Sequence, residues 1–276
     1  MDLFIKGGIL IMSKKVSYQV FVPGGNDTAF VFGTNYTKAE RKQINDIIME
    51  KDKNVEQVGF LGDMDSPELI MAGGEFCGNA TRSAAYHYLH GNDGSLQLKV
   101  NEKDYINAGV SEAKAWCEIP LILDKDIIEK LGNDIYKVQM KGMTTIVVRE
   151  NVAKKYVQNI ERIKDVAVEF IDKYELRECE AVGVMFLEKD NDIIKINPVV
   201  WVNAIDTLFY ETACGSGTTA TAIVESYLSG KDMSVNILQP SGHIISATIE
   251  LDGKRAKKAI ICGNIYKEEE IKNFEI

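Results

Sequence analysis

Apolar and polar residues alternate in short runs along most of the chain. Gly, Asn or Asp bounds each run, a pattern that predicts strands. VSYQVFVP (16–23) and TAFVFG (28–33) flank Gly24-Gly25-Asn26-Asp27, a hairpin or sharp-turn signature. Further runs predict strands near 55–62, 67–73, 96–100, 105–110, 113–123, 136–140, 144–150, 180–188, 192–203, 207–212, 234–239, 243–251 and 256–266. Elsewhere the period lengthens to that of a helix. TKAERKQINDIIMEK (37–51) has Thr37 and Glu40 at capping-box spacing and Ile44, Ile47 and Ile48 on one face. A long helix is predicted over 151–173, with Val157, Ile160, Ile163, Val166, Ala167 and Phe170 on one stripe. Two more, near 79–90 and 216–229, are built from small residues. Each half of the chain thus reads as hairpin, amphipathic helix, strands, small-residue helix, strands. That order predicts an α+β fold and not the strict β-α-β alternation of a doubly wound sheet. No Pro- or Ser-rich linker separates the halves, and LILDKD (121–126) is the expected junction.

Composition narrows the function classes. The chain has 276 residues, with 32 Lys+Arg against 41 Asp+Glu, a net charge of −9. That balance lacks the basic footprint of a nucleic-acid partner. Five cysteines, an odd number without close pairing, do not form a secreted disulfide framework. Three histidines (His87, His90, His243) and no C-x-x-C spacing leave no metal site to expect. No apolar run reaches the roughly 18 residues of a spanning helix, so no membrane partner is expected. The opening MDLFIKGGILIMSKK is interrupted by Asp2 and Lys6, and its Lys pair follows the apolar stretch, unlike a signal peptide. The first eleven residues read as an upstream start or an extension outside the fold. A cytoplasmic protein with reduced thiols is the expectation.

The candidate chemistry lies in a repeat. GGEFCGNATRSAAYHYLHG (73–91) and YETACGSGTTATAIVESYLSG (210–230) share an acidic residue (Glu75, Glu211), then Cys-Gly, then small residues in helical register, then Tyr-Leu-x-Gly as a helix stop. Cys77 and Cys214 stand about half a chain apart, as duplication of one unit would leave them. Each cysteine is expected at a strand-to-helix turn. The unpaired N–H groups and partial positive charge of a helix start would lower its thiol pKa and bind an anion. Gly78, Gly215 and Gly217 would let backbone approach a ligand. One thiol per half, facing its counterpart across a ligand, suits inversion of a stereocentre: one thiolate takes the Cα proton and the opposite thiol returns another. Opposed helix N-termini would stabilise the carbanionic transition state.

At these residues the chain resembles the diaminopimelate epimerase-fold family of cofactor-independent amino-acid racemases and epimerases. The resemblance rests on the GGND turn (24–27), CGNA (77–80), ACGSGT (213–218) and QPSGHI (239–244), and spans nearly the whole chain from about residue 16. It implies two pseudo-symmetric α/β halves, each a barrel-like, mainly antiparallel sheet around a central helix. The halves would be 13–122, completed by 264–276, and 123–263, closing on an amino acid without pyridoxal phosphate or any other cofactor. It marks Cys77 and Cys214 as the catalytic bases. Asn26, Asn79 and the backbone of Gly78, Gly215 and Ser216 become candidate substrate contacts, and a homodimer is implied. Glu75 and Glu211, beside the cysteines in the repeat, are candidates to polarise or orient groups near the thiols. Two features of diaminopimelate epimerases are missing. The stretch before the second cysteine, AIDTLFYETAC, has no Arg for a distal carboxylate, and QMKGMTTIVV stands where the family has Gly-Asn-Pro-His. EQVGF (56–60), GGEFCGNAT (73–81) and ETACGSGTT (211–219) look more like the histidine racemase branch, which supplies D-histidine for metallophore synthesis.

Other readings stay open at this point: epimerisation of diaminopimelate or lanthionine, a thiol redox or sensor protein using a reversible disulfide, and ligand binding without catalysis. GSGTTA (215–220) loosely fits a dinucleotide loop, but no βαβ unit is expected around it. Cys117, Cys179 and Cys262 fall in strand patterns as inert packing residues. His87 and His90 suit a helix C-terminal dipole. His243 suits a solvated strand start. Arg82 could reach a ligand carboxylate or make a structural pair.

Overall fold

A computed structural model describes residues 3–6, 9–12, 14–102, 104–190, 193–203 and 207–276. The first two segments, β1 (Leu3–Lys6) and β2 (Ile9–Met12), pair only with each other. They form a separate antiparallel ribbon, in keeping with a first segment outside the main fold. Residue 13, the expected first-half boundary, lies outside the described residues, as do residue 192 of one predicted strand and 204–206 before the second cysteine.

The main sheet begins with β3 (Lys15–Val22) and β4 (Asp27–Phe32), antiparallel across the GGND turn. Asn26 sits at φ +57°, with Gly24 and Gly25 also at positive φ, and this reverses the chain within four residues. α1 (Lys38–Lys51) then crosses over to β5 (Val55–Leu61), which is parallel to β4. The capping box forms as predicted: the Glu40 N–H donates to Thr37 Oγ1 and the Thr37 N–H to Glu40 Oε2. Ile44 and Ile48 are fully buried, worth about 1.5–3 kcal/mol each. β6 (Glu68–Met71), α2 (Gly78–Tyr88), β7 (Gly94–Val100), β8 (Asp104–Ser111) and β9 (Lys114–Glu118) follow.

The second stretch repeats this order. β10 (Ile128–Gly132), β11 (Ile135–Met140) and β12 (Met143–Val148) form a meander, and α3 (Glu150–Val157) and α4 (Ile163–Lys173) cross to β13 (Ala181–Asp190), parallel to β12. β14 (Ile193–Val202), β15 (Thr207–Tyr210), α5 (Gly215–Ser229), β16 (Met233–Leu238), β17 (Ile244–Asp252) and β18 (Arg255–Gly263) complete it. The chain then returns: β19 (Tyr266–Lys267) and β20 (Lys272–Glu275) both pair with β3. β18 pairs with β9, so hydrogen bonding is continuous from one stretch to the other. Most pairs are antiparallel; β4–β5, β6–β7, β12–β13 and β14–β16 are parallel.

Several expectations change. All four parallel pairs are joined through helices: α1 between β4 and β5, α2 between β6 and β7, α3 and α4 between β12 and β13, and α5, after β15, between β14 and β16. The strand pattern alone did not predict these β-α-β connections, the one around GSGTTA included, although the sheet stays mainly antiparallel. The helix over 151–173 breaks at Asn159, φ −130° and ψ 81°, into α3 and α4 joined by a 3-10 turn. Ile160 therefore leaves the apolar stripe and is exposed, while Ile163, Val166, Ala167 and Phe170 stay buried. β10, β19 and β20 were not predicted. Cys179 lies in the loop before β13 and not in a strand.

One large core surrounds α2 and α5; smaller cores lie under α3–α4 and under α1. Residues 78–85 of α2 are buried without interruption, as are all of 217–224 in α5. Their small side chains let sheet close around them on every side. Among the described residues no helix is long and apolar enough to cross a membrane.

Candidate active site

Cys77 and Cys214 are the N-cap residues of α2 and α5. In the first, the Ala80 N–H donates to Cys77 Sγ at 3.4 Å and Thr81 Oγ1 to the Cys77 carbonyl at 2.7 Å. In the second, the Gly217 N–H donates to Cys214 Sγ at 3.3 Å and Thr218 Oγ1 to the Cys214 carbonyl at 2.7 Å. Sulfur replaces the usual Ser or Asp oxygen as the cap acceptor. The Thr81 and Thr218 N–H groups also bond the cysteine carbonyls. The N–H groups of Gly78, Asn79, Gly215 and Ser216 are the remaining first-turn donors, without intrahelical partners.

The two helix starts meet. Asn79 Nδ2 donates to the carbonyl of Ala213, the residue before Cys214, at 3.4 Å. A Cβ added to Gly215 would stand 3.3 Å from Asn79 Oδ1 and 3.1 Å from Ile261 Cδ1. One added to Gly78 would reach the same Ile261 methyl at 2.7 Å. Glycine at both positions lets the ends close over one isoleucine.

The GGND turn closes against the second cysteine segment. Thr212 Oγ1 accepts from the Asn26 N–H at 2.8 Å and donates to Glu56 Oε1. Ser241 Oγ donates to the Gly24 carbonyl, and the Ser241 N–H to Thr212 O at 3.0 Å. A Cβ on Gly25 would stand 2.9–3.0 Å from Thr212, Ala213 and Ser241 at once. Asn26 is buried, and its carbonyl accepts from Thr28 Oγ1 at 3.2 Å.

Electrostatics overturn one expectation. Neither thiol has a lowered pKa in the unliganded protein. Burial pushes Cys77 up to about 11, outweighing hydrogen bonds from Ala80 and Gln57, with the charges of Glu211 and Glu75 pushing the same way. Burial raises Cys214 well above the ordinary thiol range, and the Glu211 charge and the hydrogen bond to Glu211 add to it. Desolvating a thiolate costs more than one cap N–H returns. Glu211 is itself raised to about 7, chiefly by burial, with its hydrogen bond to Cys214 pulling it down and the Glu56 charge pushing it up. It is the one carboxylate that acts on both thiols. Glu75 keeps solvent contact at the rim, yet the protein around it pushes its carboxyl above the ordinary range. Ser216 Oγ lies 3.3 Å from Cys214 Sγ. The candidate residues Asn26, Glu75, Cys77, Gly78, Asn79, Glu211, Cys214, Gly215 and Ser216 thus gather around two adjoining helix starts.

Sequence patterns missed four participants. Gln57, inside EQVGF, bonds Cys77 and donates to Thr28 Oγ1 at 2.8 Å. Gln239, opening QPSGHI, accepts from the Cys214 N–H at 3.0 Å and donates to Thr218 Oγ1 at 3.0 Å. Glu56 and Thr212 form the bridge to the turn. A glutamine inside a predicted strand and another just before a proline were the available signals. His87 is neutral, its pKa lowered to about 4 by burial, so it packs among Phe21, Phe32 and Tyr88 and does not serve a helix dipole. His243 is exposed and faces Tyr266, ring centroids 6.0 Å apart. Cys117 and Cys262 stand in β9 and β18, and the Cys117 thiol donates to the Gly78 carbonyl at 3.4 Å. A side chain at Gly217 would collide with Met185, so GSGTTA is packed shut against β13. Among the described residues no His, Cys, Asp and Glu cluster could hold a metal ion.

Known proteins share this arrangement of chain. Over 95% of this chain and 93% of the other, the fold matches a hydroxyproline epimerase from Agrobacterium vitis at a TM-score of 0.58 and 11% identity. A predicted epimerase from Pseudomonas aeruginosa matches over 95% and 99%, at a TM-score of 0.56 and 13% identity. Those likenesses show the fold: mixed α and β, with a large, mainly antiparallel sheet and few helices. Sequence relatives are closer. A histidine racemase of Fusobacterium nucleatum is 30% identical over 250 residues, 84% of this chain and 89% of that protein. The histidine racemase of Staphylococcus aureus is 24% identical, over 83% and 87%. The model of the histidine racemase CntK N-terminal domain matches residues 15–267. With that match running through the GGND turn and both cysteine segments, the chain belongs to the histidine racemase CntK N-terminal domain family, an isomerase family.

Proposed function

We propose that the chain racemises free histidine by a two-thiol mechanism without a cofactor. The observation that carries this reading is the meeting of two helix starts, each capped by a cysteine and each presenting unpaired N–H groups. The substrate α-carboxylate binds the N–H groups of Gly78, Asn79, Gly215 and Ser216, and its ammonium group approaches the sulfurs. A cation beside a buried thiol favours the thiolate, so substrate entry offsets the burial that keeps both thiols protonated beforehand. Glu211, half-ionised near neutral pH, takes the Cys214 proton. The Cys214 thiolate removes the Cα proton from one face, leaving the electron pair on Cα and the carboxylate. The Cys77 thiol delivers its proton to the other face. In the reverse direction the thiols exchange roles. One C–H bond breaks and one forms, with no net change in oxidation state. The N–H groups meet the charge that develops on the carboxylate.

The charges around the thiols favour histidine over diaminopimelate. Glu56, Glu75 and Glu211 repel a second carboxylate, and each can accept a hydrogen bond from an imidazole. In this reading residues 13–122 with 264–276, and 123–263, are pseudo-symmetric halves that close on the substrate. The homodimer is taken from the same family resemblance, and the cytoplasmic location from the odd, unpaired set of five cysteines. Incubation of L-histidine in deuterated water tests the proposal: deuterium should enter Cα as the optical rotation decays. A panel of other amino acids, diaminopimelate and lanthionine included, should react more slowly. Histidine recovered unlabelled and optically unchanged would falsify it.

A further inference from the structure

Among the described residues, Arg82 is the largest side chain with no solvent exposure, at 0%. It stands one turn into α2, and its side chain turns back toward the helix start. Nε and Nη2 donate to Asn79 Oδ1 at 3.3 and 3.2 Å. Nη1 donates to the Asn264 carbonyl at 3.2 Å, and Nη2 also to the Pro23 carbonyl. Among the described residues no carboxylate pairs with it. A guanidinium is therefore held without a counter-charge at the positive end of a helix, where cations are disfavoured. Burial lowers its pKa to about 10, and negative charge on Cys117, Cys262 or Cys77 would raise it again. Of those sulfurs, Cys117 is sealed under α2 and Cys262 stands out on β18. Cys77 lies at the opening, faced by Glu75 from its own loop, Gln57 from β5 and Glu211 from the loop before α5.

Its partners belong to separate parts of the site. Pro23 leads into the GGND turn, and Asn264 begins the return to β3. Asn79 passes the restraint on to Ala213, next to Cys214. Its four hydrogen bonds all run to protein acceptors, which makes it part of the scaffold of the site.

We propose that Arg82 is the positioning residue of this site: it clamps the Cys77 end of α2 to the GGND turn and the Cys214 segment, and its charge becomes the partner of the Cys77 thiolate. The activity half of the test rests on the two-thiol reading; the reactivity half does not. Alkylation of Cys77 by iodoacetamide in the full chain is followed from pH 7 to 10, each cysteine resolved by peptide mass spectrometry. In R82M, checked for native circular dichroism, Cys77 should react about tenfold more slowly at pH 8, about one unit of lost charge stabilisation. R82K keeps the charge but gathers its donors on one nitrogen, so it cannot span acceptors that Nε, Nη1 and Nη2 reach separately. It should retain most of the Cys77 reactivity yet lose at least about tenfold in kcat, with KM little changed. Where R82M does not fold, the neutral R82Q takes its place, keeping two donors. A Cys77 profile in R82M or R82Q superimposable on wild type overturns the charge role, and an R82K kcat equal to wild type overturns the clamp. If wild type fails to racemise histidine, the racemase reading falls while the alkylation profiles still decide Arg82.

Discussion

Cys77 and Cys214 cap their helices with nearly the same backbone, φ −125° and ψ 114° against φ −129° and ψ 110°. Their cap hydrogen bonds match atom for atom. What surrounds them does not match. Cys77 is half-buried, bonded by Gln57, with Arg82 folded back beneath it. Cys214 is 2% exposed, its N–H tied to Gln239 and its thiol bonded to Glu211. The position in α5 that matches Arg82 is Thr219, whose hydroxyl only donates to the Gly215 carbonyl. A repeated backbone can thus present two equivalent sulfurs while giving one a fixed cation and the other an exchangeable proton acceptor. In the two-thiol mechanism proposed above, inversion uses the matched sulfurs, and the unmatched surroundings would set which thiol holds the proton between turnovers.

The largest test of that comparison removes each sulfur in turn. C77S and C214S should each lose about a thousandfold or more in racemisation rate, since a hydroxyl at neutral pH replaces neither base. Either variant turning over at the wild-type rate sinks the two-thiol mechanism. E211Q should remove the proton acceptor of Cys214 and, with it, a charge that helps hold both thiols protonated. Wild-type kcat/KM should rise with pH through about 7 as Glu211 ionises, and E211Q should lose that limb along with about ten- to a hundredfold in rate. An unchanged pH profile in E211Q would remove Glu211 from the proton path.

Smaller effects test the packing. G215A places a methyl 3.1 Å from Ile261 and 3.3 Å from Asn79, so the helix starts must part by a few tenths of an ångström, which should lower kcat about tenfold. Q239A leaves the buried Cys214 N–H without its acceptor and should cost about 1–3 kcal/mol in urea unfolding. Alkylation of Cys77 in that variant should not change. The smallest effect is at the far ends. α5 stops on Gly230 at φ +71° with no basic residue in its last turn, whereas α2 ends beside His87. The folded pKa of His87, about 4, lies below its unfolded value near 6.5, so the unfolded chain binds more protons between them. Stability should fall as pH drops from about 6.5 toward 4, seen as a falling urea midpoint, and H87F should flatten that slope.

Local patterns carried some elements through to the structure intact. The capping box of Thr37 and Glu40 and the buried Ile44 and Ile48 needed nothing beyond residues within one helix. Tyr-Leu-x-Gly and Cys-Gly marked both ends of α2 and α5 for the same reason. The helix over 151–173 was misjudged because an apolar stripe continues across Asn159 while the backbone does not. β19 and β20 escaped because short edge strands draw their pairing from β3, more than 200 residues earlier. Gln57 and Gln239 looked like ordinary polar strand residues until the fold set them beside a sulfur and a cap N–H.

The amino-acid sequence by itself determined the α+β class, the duplicated cysteine segments and the glycines that let two helix starts approach, because each depends on local periodicity, cap chemistry or missing side chains. The protonation of the thiols and the partners of Arg82 were decided by tertiary structure alone. A thiol pKa balances desolvation against charge, and both terms come from residues brought near by folding. That balance reversed the expected shift. The same enclosure turned Arg82 from a candidate ligand contact into a buried cation bonded to Pro23, Asn79 and Asn264.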